Sequence, residues 1–249
     1  MSPTSSSEPG PSAAHRAARR AELARNLAGV RARIDAACAA AGRDAGEVTL
    51  IAVTKTWPAT DVMLLGELGV TDFGENRDQE AAPKAAACAG AGLPIRWHFV
   101  GQLQTNKAAS VARYADVVHS VDRLRLVRAL GAAARAAGRE LTCLVQVSLD
   151  GDPARGGVLP GAAPQIAEAL AAEPGLLPGG VMAVAPLGMP AAKAFAPLRA
   201  CLAAVRAVSP GASIISAGMS GDLEAAIEAG ATHVRIGTAL LGARRPLVR

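Results

Sequence analysis

Lys55 closes the apolar run Val48-Thr-Leu-Ile-Ala-Val-Thr-Lys55, just ahead of Pro58 and a helical pattern from Asp61 to Leu68. A primary amine at the C-terminal tip of the first strand of a strand-helix series stands at the mouth of an α/β barrel, where such folds keep their chemistry. That amine can condense with a carbonyl to give a Schiff base. Near the other end of the chain, Ser216-Ala-Gly-Met-Ser-Gly-Asp222 follows a strand pattern and opens a helical stretch from Leu223 to Gly230. Its glycines, Gly218 among them, let a backbone approach a ligand, and Ser216 and Ser220 place hydroxyls beside free amides, an arrangement suited to an anion. Arg235-Ile-Gly-Thr-Ala-Leu-Leu-Gly242 comes next, with Gly237 and Thr238 beginning a short terminal helix and supplying further amides. Loops after strands seven and eight plus a short extra helix form the customary phosphate site of a barrel. Each feature also has a plain reading: a solvated loop lysine, an N-cap serine, a rim salt bridge for Arg235.

The elements that must position these residues are periodic. From Ala13 to Ala41 the pattern is helical, with Leu23, Leu27, Val30, Ile34 and Ala37 on one face and Gly42 as its end. Strand patterns then fall near 48–54, 70–73, 95–100, 116–119, 141–148, 180–185, 212–216 and 232–236, the first seven each followed by a helical segment. Parallel strands with helical returns close most simply into a (β/α)8 barrel, and 249 residues suit one. The rival is an open doubly wound sheet, but no G-x-G-x-x-G follows the first strand. In a closed barrel strand eight pairs with strand one, so Arg235 and Lys55 become neighbours at one rim. A phosphorylated pyridine aldehyde, pyridoxal 5'-phosphate (PLP), then satisfies all the features: imine at Lys55, phosphate on the last two loops, ring nitrogen facing Arg235. A guanidinium stays cationic and shares no proton, so it holds the ring nitrogen unprotonated and the ring is a weak electron sink.

Composition excludes several classes. An apolar content of 51% allows a substantial core in one domain. No uninterrupted apolar run reaches membrane-spanning length, and the Ser- and Pro-rich start lacks a charged segment followed by an apolar one, so neither membrane insertion nor export is expected. Cys38, Cys88, Cys143 and Cys201 are far apart without C-x-x-C pairs or histidine neighbours, which indicates no metal site and reduced thiols in a cytoplasmic protein. The net charge of +5 lies along helical faces, and the few aromatic residues do not interleave with it, so no nucleic-acid surface is expected.

Six segments together resemble the pyridoxal phosphate homeostasis proteins: Ala52-Val-Thr-Lys55, Phe73-Gly-Glu-Asn-Arg77, Trp97-His-Phe-Val-Gly-Gln-Leu-Gln-Thr-Asn-Lys107, His119-Ser-Val-Asp122, Ser216-Ala-Gly-Met-Ser220 and Val234-Arg-Ile-Gly-Thr238. The resemblance runs from about residue 20 to 243, and that family resembles the barrel domain of bacterial alanine racemase. It implies a single (β/α)8 barrel of PLP fold type III with no second domain; with the extra N-terminal helix read from its period the domain spans 13–249, and the Ser- and Pro-rich residues 1–12 are expected to be a disordered tail. It implies that Lys55 carries PLP as an internal aldimine, with Asn76 near the ring, Ser216, Met219, Ser220, Gly237 and Thr238 around the phosphate, and Arg235 at the pyridine nitrogen. Met182 is a looser candidate, because Val181-Met-Ala-Val-Ala-Pro186 departs from the usual form. Ala217 and Leu241 depart too, where relatives often carry methionine and phenylalanine.

His98 and His119 read as packed barrel histidines rather than bases. Glu75 and Asn76 read as mouth-side candidates, and Asp150, Gly151, Asp152 and Arg155 as a mobile turn. A racemase needs bases on both faces of the substrate, normally a lysine and a tyrosine. The single tyrosine, Tyr114, is expected on the N-terminal face, away from the ligand. The resulting expectation is a monomeric PLP binder that stores, buffers or delivers the cofactor to apoenzymes without substantial catalysis. Alternatives are a slow PLP-dependent racemase, a sugar-phosphate barrel using Lys55 alone, and a partner-docking protein.

Overall fold

Leu23, Leu27, Val30, Ile34 and Ala37 are all buried along one side of α1 (Ala13–Ala40), as their spacing requires. The helix stops where Gly42 takes φ +65 and the Arg43 amide reaches back to the Cys38 carbonyl at 2.9 Å, a Schellman-type end. The computed structural model describes residues 13–152 and 155–243; the expected 1–12 tail lies outside them, as does the end of the chain from 244.

Eight parallel strands close into a barrel in sequence order: β1 (Thr49–Val53), β2 (Asp72–Glu75), β3 (Arg96–Phe99), β4 (Val117–Val121), β5 (Leu141–Gln146), β6 (Leu176–Met182), β7 (Ile214–Ser216) and β8 (His233–Ile236). The returns are α2 (Ala59–Glu67), α3 (Asp78–Cys88), α4 (Ala108–Tyr114), α5 (Leu124–Ala137), α6 (Ala163–Ala172), the pair α7 (Ala191–Phe195) and α8 (Leu198–Val208), and α9 (Leu223–Glu228). The short α10 (Thr238–Leu241) follows β8. The open-sheet alternative is excluded by the β1 to β8 pairing, which sets Ile51 opposite Arg235 and Ala52 opposite Ile236. No described helix is long and apolar enough to cross a membrane.

Alternation along each strand divides the core. Outward residues such as Ala52, Phe73, Val234 and Ile236 pack beneath α1, α2 and α9 with Leu27, Leu65 and Ile227. Inside the barrel, Val117, Leu144, Met182 and Ile214 form a small apolar layer. Burying side chains of this size contributes about 1.5–3 kcal/mol each.

Strand ends move by a residue or more from their expected bounds, and three of these shifts change where a residue sits. β6 begins at Leu176 rather than 180, because Pro178-Gly179-Gly180 reads as a loop yet lies in the ladder, where its register slips between Cys143 and Leu144. Gly180 has φ +146, and a Cβ there would sit 2.0 Å from the Ile214 carbonyl oxygen, so glycine lets the neighbouring strand approach. β4 runs on to Val121, which puts His119 inside the strand instead of at its tip. β2 is shifted to 72–75 and takes Glu75 into the sheet.

Candidate cofactor site at the barrel mouth

The amine of Lys55 rides on a tight turn just past β1. The Thr54 amide extends the ladder to the Gly74 carbonyl at 3.0 Å, and the Thr54 carbonyl accepts from the Trp57 amide at 3.0 Å, leaving Lys55 and Thr56 as the central pair. Thr56 has φ +67, which costs a residue with a side chain roughly 1–2 kcal/mol. Its amide donates to Glu80 Oε2 at 2.9 Å, and the Trp57 ring lies 4.6 Å from the Arg19 guanidinium, so both flanks of the turn are tied down. A Cβ on Gly74 would meet Ile51 and Val53, at 3.0 and 3.2 Å, so both of those side chains point into the barrel. One more step of the alternation brings Lys55 to that side.

Three other lysines could compete for an aldehyde. Lys84 is buried and donates to Glu75 and to the Thr54 carbonyl. Lys107 lies 3.9 Å from Asp78, and Lys193 is exposed on α7. Lys55 is half-buried and has no hydrogen-bond or ion-pair partner among the described residues.

The loops after β7 and β8 meet as expected. Ser220 Oγ accepts from the Ala239 amide of α10 at 3.3 Å, and the Arg235 amide donates to the Gly218 carbonyl at 2.9 Å. Gly218 has φ +90, and a Cβ there would strike Ala226 Cβ at 2.7 Å. Gly237 sits where a Cβ would come within 3.4 Å of the Val53 carbonyl, at the seam between β8 and β1. Met219 and Thr238 are exposed, and the Met219 amide donates to Asp222 Oδ1 at 2.5 Å. Asn76 is half-buried beyond β2; a Cβ on Gly101 would lie 2.1 Å from its carbonyl oxygen, so only glycine lets the β3 loop press this close.

Arg235 is buried inside the barrel, its Nη1 donating to Ser216 Oγ at 2.7 Å and its Nη2 to the Ala183 carbonyl at 2.9 Å. Burial pulls its pKa down to about 10, against the opposing charge of Asp222, and it stays cationic at neutral pH. The Ser216 hydroxyl is engaged by Arg235 and by His119 Nδ1 at 3.0 Å, so it faces the interior rather than the amides of the β7 and β8 loops. Met182 sits opposite Ser216 in the ladder, packed in the apolar layer.

Several expectations are corrected. Glu75 does not line the mouth: alternation turns Gly74 inward and Glu75 outward, toward Lys84 on α3. Tyr114 lines a cleft with Leu93, Ile95 and Trp97, but its hydroxyl leans toward the helix N-terminus and is buried near Asp78 and Glu75; burial, and then those charges, raise its pKa. The described residues of the Asp150 segment are hydrogen-bonded to their surroundings. Gln146 Nε2 donates to the Arg155 carbonyl at 3.0 Å, Arg155 Nη2 to the Ala185 carbonyl at 2.7 Å, and Asp150 Oδ1 accepts from the Asp152 amide at 3.1 Å. His98 and His119 are buried and hydrogen-bonded, as read.

Burial also holds the interior imidazoles neutral. His98 and His119 are lowered from the usual value, and His233 falls to about 4. The unfolded chain takes up these protons near pH 6.5 while the folded one refuses them. Stability present above pH 6.5 is therefore lost as the pH falls toward 4, by about 3 kcal/mol from a shift of the size seen at His233. Urea midpoints at pH 7 and pH 4.5 check this: a clear drop is expected, and equal midpoints would contradict it.

An amine just past β1, a guanidinium buried on the paired β8, and a glycine-rich junction of the last two loops define a barrel of the alanine racemase N-terminal class. The family described as "Alanine racemase, N-terminal domain" matches residues 23–245. Alanine racemase from Streptomyces coelicolor shares the fold, with a TM-score of 0.72 at 20% identity over 92% of this chain and 59% of its own. The pyridoxal phosphate homeostasis protein of Mycobacterium tuberculosis is 47% identical over 244 residues, 91% of this chain and 95% of its own. That of Escherichia coli is 37% identical over 227 residues, 90% and 97% of the two chains. PipY of Synechococcus elongatus, solved with PLP bound, aligns with a TM-score of 0.77 at 33% identity over 88% of this chain and all of its own. This chain belongs to the pyridoxal phosphate homeostasis protein family.

Proposed function

We propose that this protein binds PLP at the barrel mouth and carries it in cofactor homeostasis, storing, buffering or delivering it without substantial catalysis. The observation that carries the reading is the pairing of β1 with β8, which brings Lys55, just past β1 and without a hydrogen-bond or ion-pair partner among the described residues, beside the strand that bears the buried Arg235. The residues fit the cofactor. Lys55 offers the amine that condenses with its aldehyde, releasing water, and Arg235 offers donors and positive charge to the ring nitrogen. Gly218, Ser220, Gly237 and Thr238 surround the junction of loops that would take the phosphate, with Met219 at its exposed edge. Asn76 flanks the ring side, while Ser216 and Met182 act from the interior, Ser216 by holding Arg235. Bound PLP supplies electron-sink chemistry, which an unprotonated ring nitrogen keeps weak.

The side chains available as a second base favour a carrier. His98 and His119 are bonded inside the barrel, and the Tyr114 hydroxyl lies behind the sheet near Asp78. PLP-dependent apoenzymes are the proposed recipients, and a monomer suffices. Two measurements test the reading. Purified protein titrated with PLP is expected to develop the visible band of a lysine-bound cofactor. Incubation with single-enantiomer amino acids in deuterated water is expected to leave the Cα hydrogen unexchanged, and rapid exchange would establish the racemase alternative instead.

A further inference from the structure

An unbroken chain of hydrogen bonds crosses the inside of the barrel and ends on Arg235. Asp72 Oδ1 lies 2.8 Å from His98 Nε2, His98 Nδ1 lies 2.9 Å from His119 Nε2, and His119 Nδ1 lies 3.0 Å from Ser216 Oγ. Arg235 Nη1 completes it at 2.7 Å from Ser216 Oγ. The members come from β2, β3, β4, β7 and β8, and every one is buried.

Proton bookkeeping gives this chain a direction. A carboxylate only accepts, so His98 carries its proton on Nε2. A neutral His98 then accepts at Nδ1, which requires the proton of His119 on Nε2. His119 in turn accepts at Nδ1 from the Ser216 hydroxyl, and the serine oxygen accepts from the guanidinium, which only donates. Each donor points from Arg235 toward Asp72, and no polar atom in the line is left over. The competing arrangement, a His98 imidazolium, reverses the two central bonds, leaves the Ser216 proton without an acceptor and adds a second cation to the interior. Burial of both rings weighs against it.

Among the described residues no carboxylate lies within ion-pair distance of Arg235. Asp72, at the far end of the chain, is the anion its donors lead to. We propose that Asp72, His98 and His119 are positioning residues for the cofactor, acting through Ser216 to fix the orientation and charge of Arg235 at the ring nitrogen. This rests on the placement of Arg235 proposed above. A polarised line of hydrogen bonds in a low-dielectric interior strengthens along its length, so a break at one ring is felt at the guanidinium.

Two readouts test it on the full-length protein. Long-range proton-nitrogen NMR of the histidine rings, recorded without PLP, is expected to show His98 and His119 neutral and protonated on Nε2 at pH 7. A proton on Nδ1 of either ring, or an imidazolium, overturns the proposal whatever PLP does. PLP titration then compares His119→Phe with His119→Gln, whose amide keeps one donor and one acceptor. Loss of the buried hydrogen bond that His119 makes to Ser216, itself bonded to the guanidinium, corresponds to about tenfold weaker binding, with a shifted cofactor band, in His119→Phe. His119→Gln is expected to restore most of both. If His119→Phe folds and binds with wild-type affinity and spectrum, the proposal fails; if it does not fold, a His119→Gln protein with a wild-type fold and no recovered band fails it equally. Wild-type protein that takes up no PLP would instead remove the cofactor reading itself, while the ring tautomers are still read independently.

Discussion

Lys55→Ala is expected to lower PLP affinity by about two orders of magnitude or more, the loss of several kcal/mol of binding free energy, and to abolish the visible band. The phosphate junction and Arg235 remain, so weak non-covalent binding persists. The fold should not change: Lys55 is half-buried and makes no hydrogen bond or ion pair among the described residues, so its removal leaves no group stranded. Spectral titration and a thermal melt of the same sample check both halves. A melt equal to wild type with the band gone is the expected pair; a retained band would place the cofactor on another amine.

Lys84→Ala should act first on the fold, with a large loss of stability. Lys84 Nζ donates to Glu75 and, at 2.8 Å, to the Thr54 carbonyl, and Thr54 Oγ1 donates to Glu75 Oε1 at 2.6 Å. Burial raises the Glu75 carboxyl above its usual range even with Lys84 present, and its Oε2 has no hydrogen-bond partner among the described residues. Deleting the lysine leaves a buried carboxylate without its cation, which typically costs about 3–5 kcal/mol. The sign with pH follows. A carboxyl whose folded pKa lies above its unfolded one opposes folding increasingly as the pH rises past the unfolded value of 4.5. The deficit of Lys84→Ala relative to wild type should therefore narrow between pH 7 and pH 5 in urea unfolding. A deficit independent of pH would mean that the charge of Glu75 is not its cause. Because the Thr54 carbonyl also closes the turn bearing Lys55, PLP binding should weaken secondarily in this variant.

The parts of the fold legible in the sequence were those with strong period. The face of α1 and the existence of all eight strands follow from apolar spacing, and the rim residues follow from where strands stop. The start of β6 was not legible, since Pro178 and two glycines carry loop propensities and only the approach of Ile214 makes glycine the fitting residue. Lys55, Arg235, Gly218 and Ser220 stood out because their residue types are chemically distinctive at strand ends. The interior chain did not, because Asp72, His98, His119 and Ser216 lie far apart in sequence and are joined only by closure of the barrel. One local trace existed: in Val117-Val-His-Ser-Val121 the imidazole sits in phase with the inward Val117, a polar group committed to the core. Glu75 misled for the complementary reason, since a mouth-side position does not say which way the side chain turns.

The central claim is that one PLP is held by Lys55 beside Arg235, and four lysines make it decidable in one measurement. Borohydride reduction of the PLP-loaded protein, followed by peptide mass mapping, should place a single pyridoxyl group on the peptide containing Lys55. A modification found instead on Lys84, Lys107 or Lys193, or none at all after saturation with PLP, would contradict it.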